Sequence, residues 1–199
     1  KKLKLMKKIA ETIVPINDVI SKRWSPRAFD SNHVIDDNLI KSLFEAARWA
    51  PSCYGDQPWQ FILFKKEDTT SWVGVLNCLS VGNQNWAMDT SIIIVVCANK
   101  NFNHNNEPNR WAHYDTGAAA ENICLQATSI GLSAHQMGGF DQEKIRKLSN
   151  IPKQFDILSC MAVGKQLDES KLSKVQKDKE TQARSRKPLG DIYFINEWK

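Results

Sequence analysis

The stretch from 111 to 132, WAHYDTGAAAENICLQATSIGL, constrains this chain more than any other. Gly117-Ala118-Ala119-Ala120 is a run of small side chains, and Ile123, Leu125, Ala127, Ile130 and Leu132 add apolar bulk. The polar residues Asp115, Asn122, Gln126 and Ser129 fall at spacings of seven, four and three, which trace one narrow stripe on a helix. Between 111 and 140 only Asp115 and Glu121 carry charge, too little for a surface helix. The pattern predicts a helix of about 20 residues, ~30 Å long, buried on most sides and central to the domain. Its small residues would let another backbone come close, in the same chain or in a second subunit. No run of ~18 apolar residues exists, so a membrane span is not supported. Gly131 stops the helix, and 132–137 then reads as a strand ending in Gly138-Gly139.

The other elements can be placed around it. Residues 17–22 form a short helix capped by Asn17. Pro26 disfavours helix at Ser25, so 23–27 is a turn presenting Arg23, Ser25 and Arg27. Asp36 or Asp37 caps a helix with Leu39, Ile40, Leu43, Phe44 and Ala47 on one face. Residues 51–58 are a loop and 59–64 a buried strand. Trp72, Val75, Leu76 and Leu79 mark a helix, and 91–98 (SIIIVVCA) is a strand buried on both faces. The Asn-rich stretch 99–109 is an exposed loop. A short helix at 142–148 and a strand at 157–163 follow. Residues 165–184 are charged and poorly patterned, which reads as a solvated arm. Residues 191–198 (DIYFINEW) turn apolar again, a length that suits an extra edge strand. With 199 residues, one domain is expected, an α+β sandwich with a mixed sheet.

The net charge of +5 is unevenly laid out. Residues 1–8 hold five Lys and no acid, and 165–187 carry a net +4, so the rest of the chain is acidic and no nucleic-acid surface is expected. The N-terminal 12 residues are expected to fray, and residues 9–16 are too short and polar for the core of a signal peptide. The five cysteines are odd in number and form no C-x-x-C pair, which points to reduced thiols in a cytoplasmic protein. No metal-ligand spacing appears among the histidines. Neither G-x-G-x-x-G after a strand nor a P-loop is present.

Chemistry could reside in three places. Arg23 and Arg27 with Ser25, and Arg184 with Arg186 and Lys187, are arginine forks suited to phosphate oxygens. They either converge on one phosphate or remain solvated surface charge. Ser52, Cys53, Asp56 and Gln57 crowd one loop, which either carries function or merely caps backbone groups. Cys53 as a nucleophile would need a base, and no His is near in sequence.

Taken in order, the motifs resemble those of the FMN-dependent nitroreductase family. They are Arg23-x-Ser25-x-Arg27, Ala50-Pro51-Ser52-Cys53-x-x-x-Gln57-Pro58-Trp59, and Asn83 with Asp89-x-Ser91. The long Gly/Ala helix, Gly138-Gly139-Phe140, Val163-Gly164-Lys165 and Arg184-Ser185-Arg186-Lys187-Pro188 continue the match over about 15–195. The resemblance implies a three-layer α/β/α sandwich with a mostly antiparallel sheet. It also implies a homodimer with facing long helices, whose 165–199 arms embrace the partner subunit. FMN would bind between subunits, with its phosphate held by Arg23, Ser25, Arg184 and Arg186 beside Trp24. Arg27 would lie by the flavin N1/O2 edge, and Asn83 by the pyrimidine side. Gly138 and Gly139, with Gln136, would flank N5 and O4, while Pro51, Ser52, Cys53 and Gln57 would reach the flavin of the other subunit.

By the same resemblance, NAD(P)H would reduce the flavin, which would pass electrons to a nitroaromatic, quinone or similar small acceptor in a ping-pong cycle. A flavoenzyme dedicated to one metabolite, by reductive dehalogenation or reduction of a small carbonyl or enal, is the alternative; a non-catalytic flavin-binding protein is another. Gly138, Gln136, Gly55 and Trp86 stand where relatives often carry an acid, a proline, an asparagine and a lysine, and these positions shape the pocket over the flavin.

Overall fold

The structure, a computed structural model, describes residues 7–198. Seven helices surround one four-stranded sheet. The strands are β1 (Trp59–Lys65), β2 (Ile92–Asn99), β3 (Ser133–Met137) and β4 (Phe155–Gly164). They lie in the order β1-β2-β4-β3. Every pairing is antiparallel, so the described sheet is not mixed as expected.

β2 is the axis of the molecule. Its residues from Ile92 to Ala98 are all buried, and the period of two divides them between two cores. Ile92, Ile94 and Val96 face one way, with Val163 and Met161 opposite them in register. Against that face pack α2 (Asp37–Arg48) and α5 (Ala112–Ser129) through Leu43, Ala47, Ala120 and Ile123. Ile93, Val95 and Cys97 face the other way, toward Trp72 and Val75 of α3 (Thr69–Leu76) and Trp86 of α4 (Val81–Ala87). Ile145 of α6 (Gln142–Leu148) joins that second core. The outcome is the three-layer sandwich.

Local signals set the helix ends. Asn17 accepts from the Val19 N–H at the start of α1 (Asp18–Lys22), and the Asp36 carboxylate accepts from the Asn38 N–H at 2.8 Å to start α2. Leu39 is exposed rather than on the core face of α2. Helix α4 is an addition to the sequence reading. Its seven residues lack a periodic apolar face, and only Trp86 and Ala87 are buried.

Most of the polar stripe expected on α5 faces other parts of the chain. Asp115 is buried and accepts from the Cys53 N–H at 2.9 Å. Asn122 donates to the Ala46 carbonyl, and Gln126 faces Ser42, so both lie along the seam with α2. The face left open carries Tyr114 and Gly117, with half-buried Ala118, Glu121 and Leu125 beside them.

The C-terminal arm also departs from expectation. Residues 165–184 contain a 3-10 turn, Glu169–Lys171, and the helix α7 (Lys174–Glu180), which has a reciprocal capping box between Ser173 and Gln176. Gln166 and Glu180 are buried, so this part is docked rather than solvated. Residues 191–198 form no strand: a 3-10 turn, Leu189–Asp191, precedes a tail whose Ile192, Tyr193, Ile195 and Trp198 are exposed. Among the described residues no strand pairs with the tail, although β1 and β3 each leave an outer edge of the sheet unpaired. Of the N-terminal stretch expected to fray, residues 1–6 lie outside the described residues. Lys8 and Ala10 run beside α1, where the Ala10 N–H donates to the Ser21 carbonyl.

Candidate functional site

The two arginine clusters meet. Arg184 Nη1 donates to the Lys8 and Ser21 carbonyls at 2.7 and 3.0 Å, which places the end of the arm beside the 23–27 turn. Partial burial holds the Arg184 guanidinium below its ordinary pKa, and the charges of Arg23 and Arg186 push it the same way. Lys8, which the sequence reading left out, joins this group. Its ammonium lies 4.5 Å over the Trp24 ring. Burial lowers its pKa; Glu180 opposes that, and Arg184 and Arg27 add to it.

Arg23 pairs with Glu121 of α5 at 3.3 Å. Arg186 donates only to the neighbouring Ser185 carbonyl, and no carboxylate pairs with Arg184 or Arg186 among the described residues. Ser25 and Arg27 are exposed beside them. Such an excess of cations on one turn and one arm is suited to a dianion such as a phosphate.

A second group adjoins the first through His135 on β3. Its Nδ1 lies 2.9 Å from the Pro26 carbonyl and its ring 4.5 Å from that of Trp86. Burial keeps the imidazole pKa below its ordinary value, so the ring is neutral near pH 7 and donates Nδ1–H to Pro26. Two residues on, β3 ends at Met137 and the chain passes into Gly138 and Gly139. Nothing lies within 4 Å of a Cβ built at exposed Gly138. At Gly139 a Cβ would fall 2.7 Å from Ser80 Oγ and 2.9 Å from Asn83 Nδ2, so only glycine fits unless those side chains move. Asn83 and the Ser80 N–H both donate to the Gly139 carbonyl. Gln136 is tied to Ser159 and Cys124.

The third group, Pro51, Ser52, Cys53 and Gln57, is held elsewhere. The Cys53 N–H is bound to Asp115 of α5, six residues before Glu121, a separation of about 9 Å along the helix. Ser52 Oγ accepts from the Gln57 N–H at 3.0 Å. Tyr54, Gly55 and Gln57 all have positive φ, which folds the loop tightly and leaves Tyr54 87% exposed. No histidine hydrogen-bonds to Cys53 among the described residues. The other four thiols are buried, Cys124 and Cys160 pushed up to about 12 and Cys97 to about 11 by desolvation. No metal-binding cluster occurs among the described residues, and none of their helices is long and apolar enough to cross a membrane.

Sequence reasoning missed Lys8, His135 and Glu180. Glu180 alone had a usable signal: Ser173-x-x-Gln176 marks a capping box, which puts Glu180 in the last turn of a helix.

The nitroreductase family model matches residues 20–72 and 74–165. Protein DrgA of Synechocystis is 26% identical over 182 residues, spanning 77% of this chain and 85% of that protein. An oxygen-insensitive NADPH nitroreductase of Helicobacter pylori is 24% identical over 190 residues, 76% of this chain and 88% of its own length. A solved oxidoreductase containing FMN superposes with a TM-score of 0.85 at 30% identity, over 95% of this chain and 96% of that one. The sandwich, the paired glycines after β3 and the meeting of the two arginine clusters thus sit within a known pattern, and the chain belongs to the nitroreductase family, as an oxidoreductase.

Proposed function

We propose that this protein is an FMN-dependent oxidoreductase that draws on NAD(P)H to reduce a nitroaromatic, quinone or similar small acceptor in a ping-pong cycle. The observation that carries this reading is the convergence of Arg184 and Arg186 on the turn bearing Arg23 and Arg27, with no carboxylate paired to either arm arginine among the described residues. The donor set fits FMN: a cationic cluster for the phosphate, and a bare Gly138 with a held Gly139 where a flat ring can lie against backbone. When bound, FMN supplies the hydride chemistry at its N5. The chain's part is to bind and orient. Arg23, Ser25, Arg184 and Arg186 hold the phosphate, beside Trp24. Arg27 faces the N1/O2 edge, where a cation offsets the negative charge that reduction brings. Asn83 and Gln136 border the ring with the two glycines.

The working unit in this reading is a homodimer. Its support is the low-charge open face of α5 and the exposed apolar tail. An open groove of about 550 Å³, lined by Ile13, Val14, Ile16, Leu189 and Ile192 among others, lies between the N-terminal segment and the arm. Dimerisation would let Pro51, Ser52, Cys53 and Gln57 reach the flavin held by the partner, consistent with their separation from the arginines in one chain.

The purified protein should be yellow and lose absorbance near ~450 nm on anaerobic addition of NADH or NADPH. A colourless protein that cannot be reconstituted with FMN overturns the reading. Changing Arg23 and Arg186 together to Ala should weaken FMN by at least about a hundredfold, since each charge-assisted bond contributes about 1.5–3 kcal/mol.

A further inference from the structure

Glu180 is a charged side chain only 4% exposed, on a short helix of an otherwise exposed arm. Its Oε1 accepts from the Arg27 N–H at 2.8 Å across 153 residues of sequence, and its Oε2 has no hydrogen-bond partner among the described residues. The contact closes a seam already begun by backbone. The Asp30 N–H donates to the Lys165 carbonyl and the Leu167 N–H to the Ala28 carbonyl, and Phe29 pairs with Gln166. Beyond the end of that ladder, the Arg27 N–H is taken by a carboxylate arriving from α7. Four residues later the same chain presents Arg184. One side chain therefore fixes the 23–27 turn and the arm against each other.

Resting on the FMN reading, we propose that Glu180 is a positioning residue: it sets the backbone from which Arg27 reaches the flavin and registers that turn with Arg184 and Arg186. The charged groups around it are Lys8 from the N-terminal segment and Arg27 from the turn, with Arg184 beyond Lys8. Burial raises the carboxyl pKa, while the Arg27 and Ala28 N–H groups and both cations pull it down.

The two ways Glu180 could matter have opposite signs. If only its charge counted, E180A and E180Q would both make the site more positive, bind FMN more tightly and raise its midpoint potential. If it positions Arg27, E180Q keeps an acceptor for the Arg27 N–H and E180A does not. The test is FMN titration by fluorescence quenching, with the midpoint potential measured on wild type, E180Q, E180A, R27A and E180A/R27A, and apo-protein folding followed by circular dichroism. E180A should bind FMN about tenfold more weakly, the loss of one charged-group hydrogen bond, with a lower midpoint potential. E180Q should stay within about threefold of wild type. In the R27A background, E180A should lower the potential no further. Wild-type values in E180A, equal shifts in E180A and E180Q, or additive shifts with R27A would each overturn the proposal, as would loss of the fold in both E180A and E180Q. Should wild type itself take up no FMN, the FMN reading falls and this role falls with it.

Discussion

Two apolar runs in this chain meet opposite fates. From Ile92 to Ala98 every residue of β2 is buried, whereas Ile192, Tyr193, Ile195 and Trp198 are 57–88% exposed. Both are rich in large apolar residues, but their supply of neighbours differs. β2 has a strand on each edge and a helical layer on each face. The tail leaves the last 3-10 turn without joining either open edge of the sheet, that of β1 or that of β3, in its own chain. Hydrophobicity tells that a segment asks to be covered, and topology decides what is available to cover it.

One substitution made in both regions separates them most sharply. Ile94→Ala should lower stability by about 2–5 kcal/mol, because the cavity opens between α2, α5 and the sheet, where nothing can collapse into it. Urea unfolding of the FMN-free protein measures this, and a loss below about 1 kcal/mol would mean that the central strand is not the core of the fold. Ile195→Ala should leave unfolding at low protein concentration within about 0.5 kcal/mol of wild type. It should instead weaken self-association by about 1.5–3 kcal/mol, roughly ten- to a hundredfold in the dissociation constant by analytical ultracentrifugation. An unchanged dimer constant would break the idea that the tail is covered by a second copy.

The same contrast explains what could be read from sequence. The body was legible because its signals are local or periodic: the buried run of β2, the caps Asn17 and Asp36, and the full span of α6. Helix α4 was not, since it is held by Trp86 and Ala87 in the second core rather than by a pattern of its own. The stripe on α5 was found, but what it faces was not legible. Amides at Asn122 and Gln126 satisfy backbone and hydroxyl groups of α2, so polarity there marks a helix seam. In the arm, charge hid a helix, because a surface rich in Lys gives no apolar period while one buried acid does the docking. The residue types of the two arginine clusters were plain, but their meeting depends on the path of the arm, which no spacing encodes.

Titration distinguishes the regions by sign. His135, in the body, has its pKa lowered from 6.5 by burial. As pH falls below 6.5 the unfolded chain takes the proton first, so stability should drop through the window beneath that value. Glu180, in the arm, has its pKa raised from 4.5 by burial. Just above 4.5 the folded state binds more protons, so this group alone makes stability rise as pH falls. H135Q should therefore flatten the acid-side loss near pH 6.5, and E180Q should leave that loss in place while removing the opposing slope nearer pH 4.5. Chemical denaturation at closely spaced pH values tests both, and an H135Q profile parallel to wild type would contradict a neutral, partly buried imidazole.

The smallest effect should come from removing one helix cap in each region. The Asp36 carboxylate starts α2, which is packed along α5 and the sheet; Asp36→Ala should cost about 1 kcal/mol of global stability, because α2 cannot fray without opening the main core. Ser173 Oγ accepts from the Gln176 N–H at 3.2 Å while the Gln176 side chain accepts from the Ser173 N–H at 3.0 Å. Ser173→Ala removes one of those two bonds from a seven-residue helix whose only buried member is Glu180. The intrinsic penalty is the same order, about 1 kcal/mol, but it falls on α7 alone. Amide exchange at Lys177 to Glu180 should accelerate about fivefold with the urea midpoint unmoved. A matching shift in the midpoint would mean that the arm unfolds with the body, and the division drawn here between a self-sufficient sandwich and an arm awaiting its cover would have to be given up.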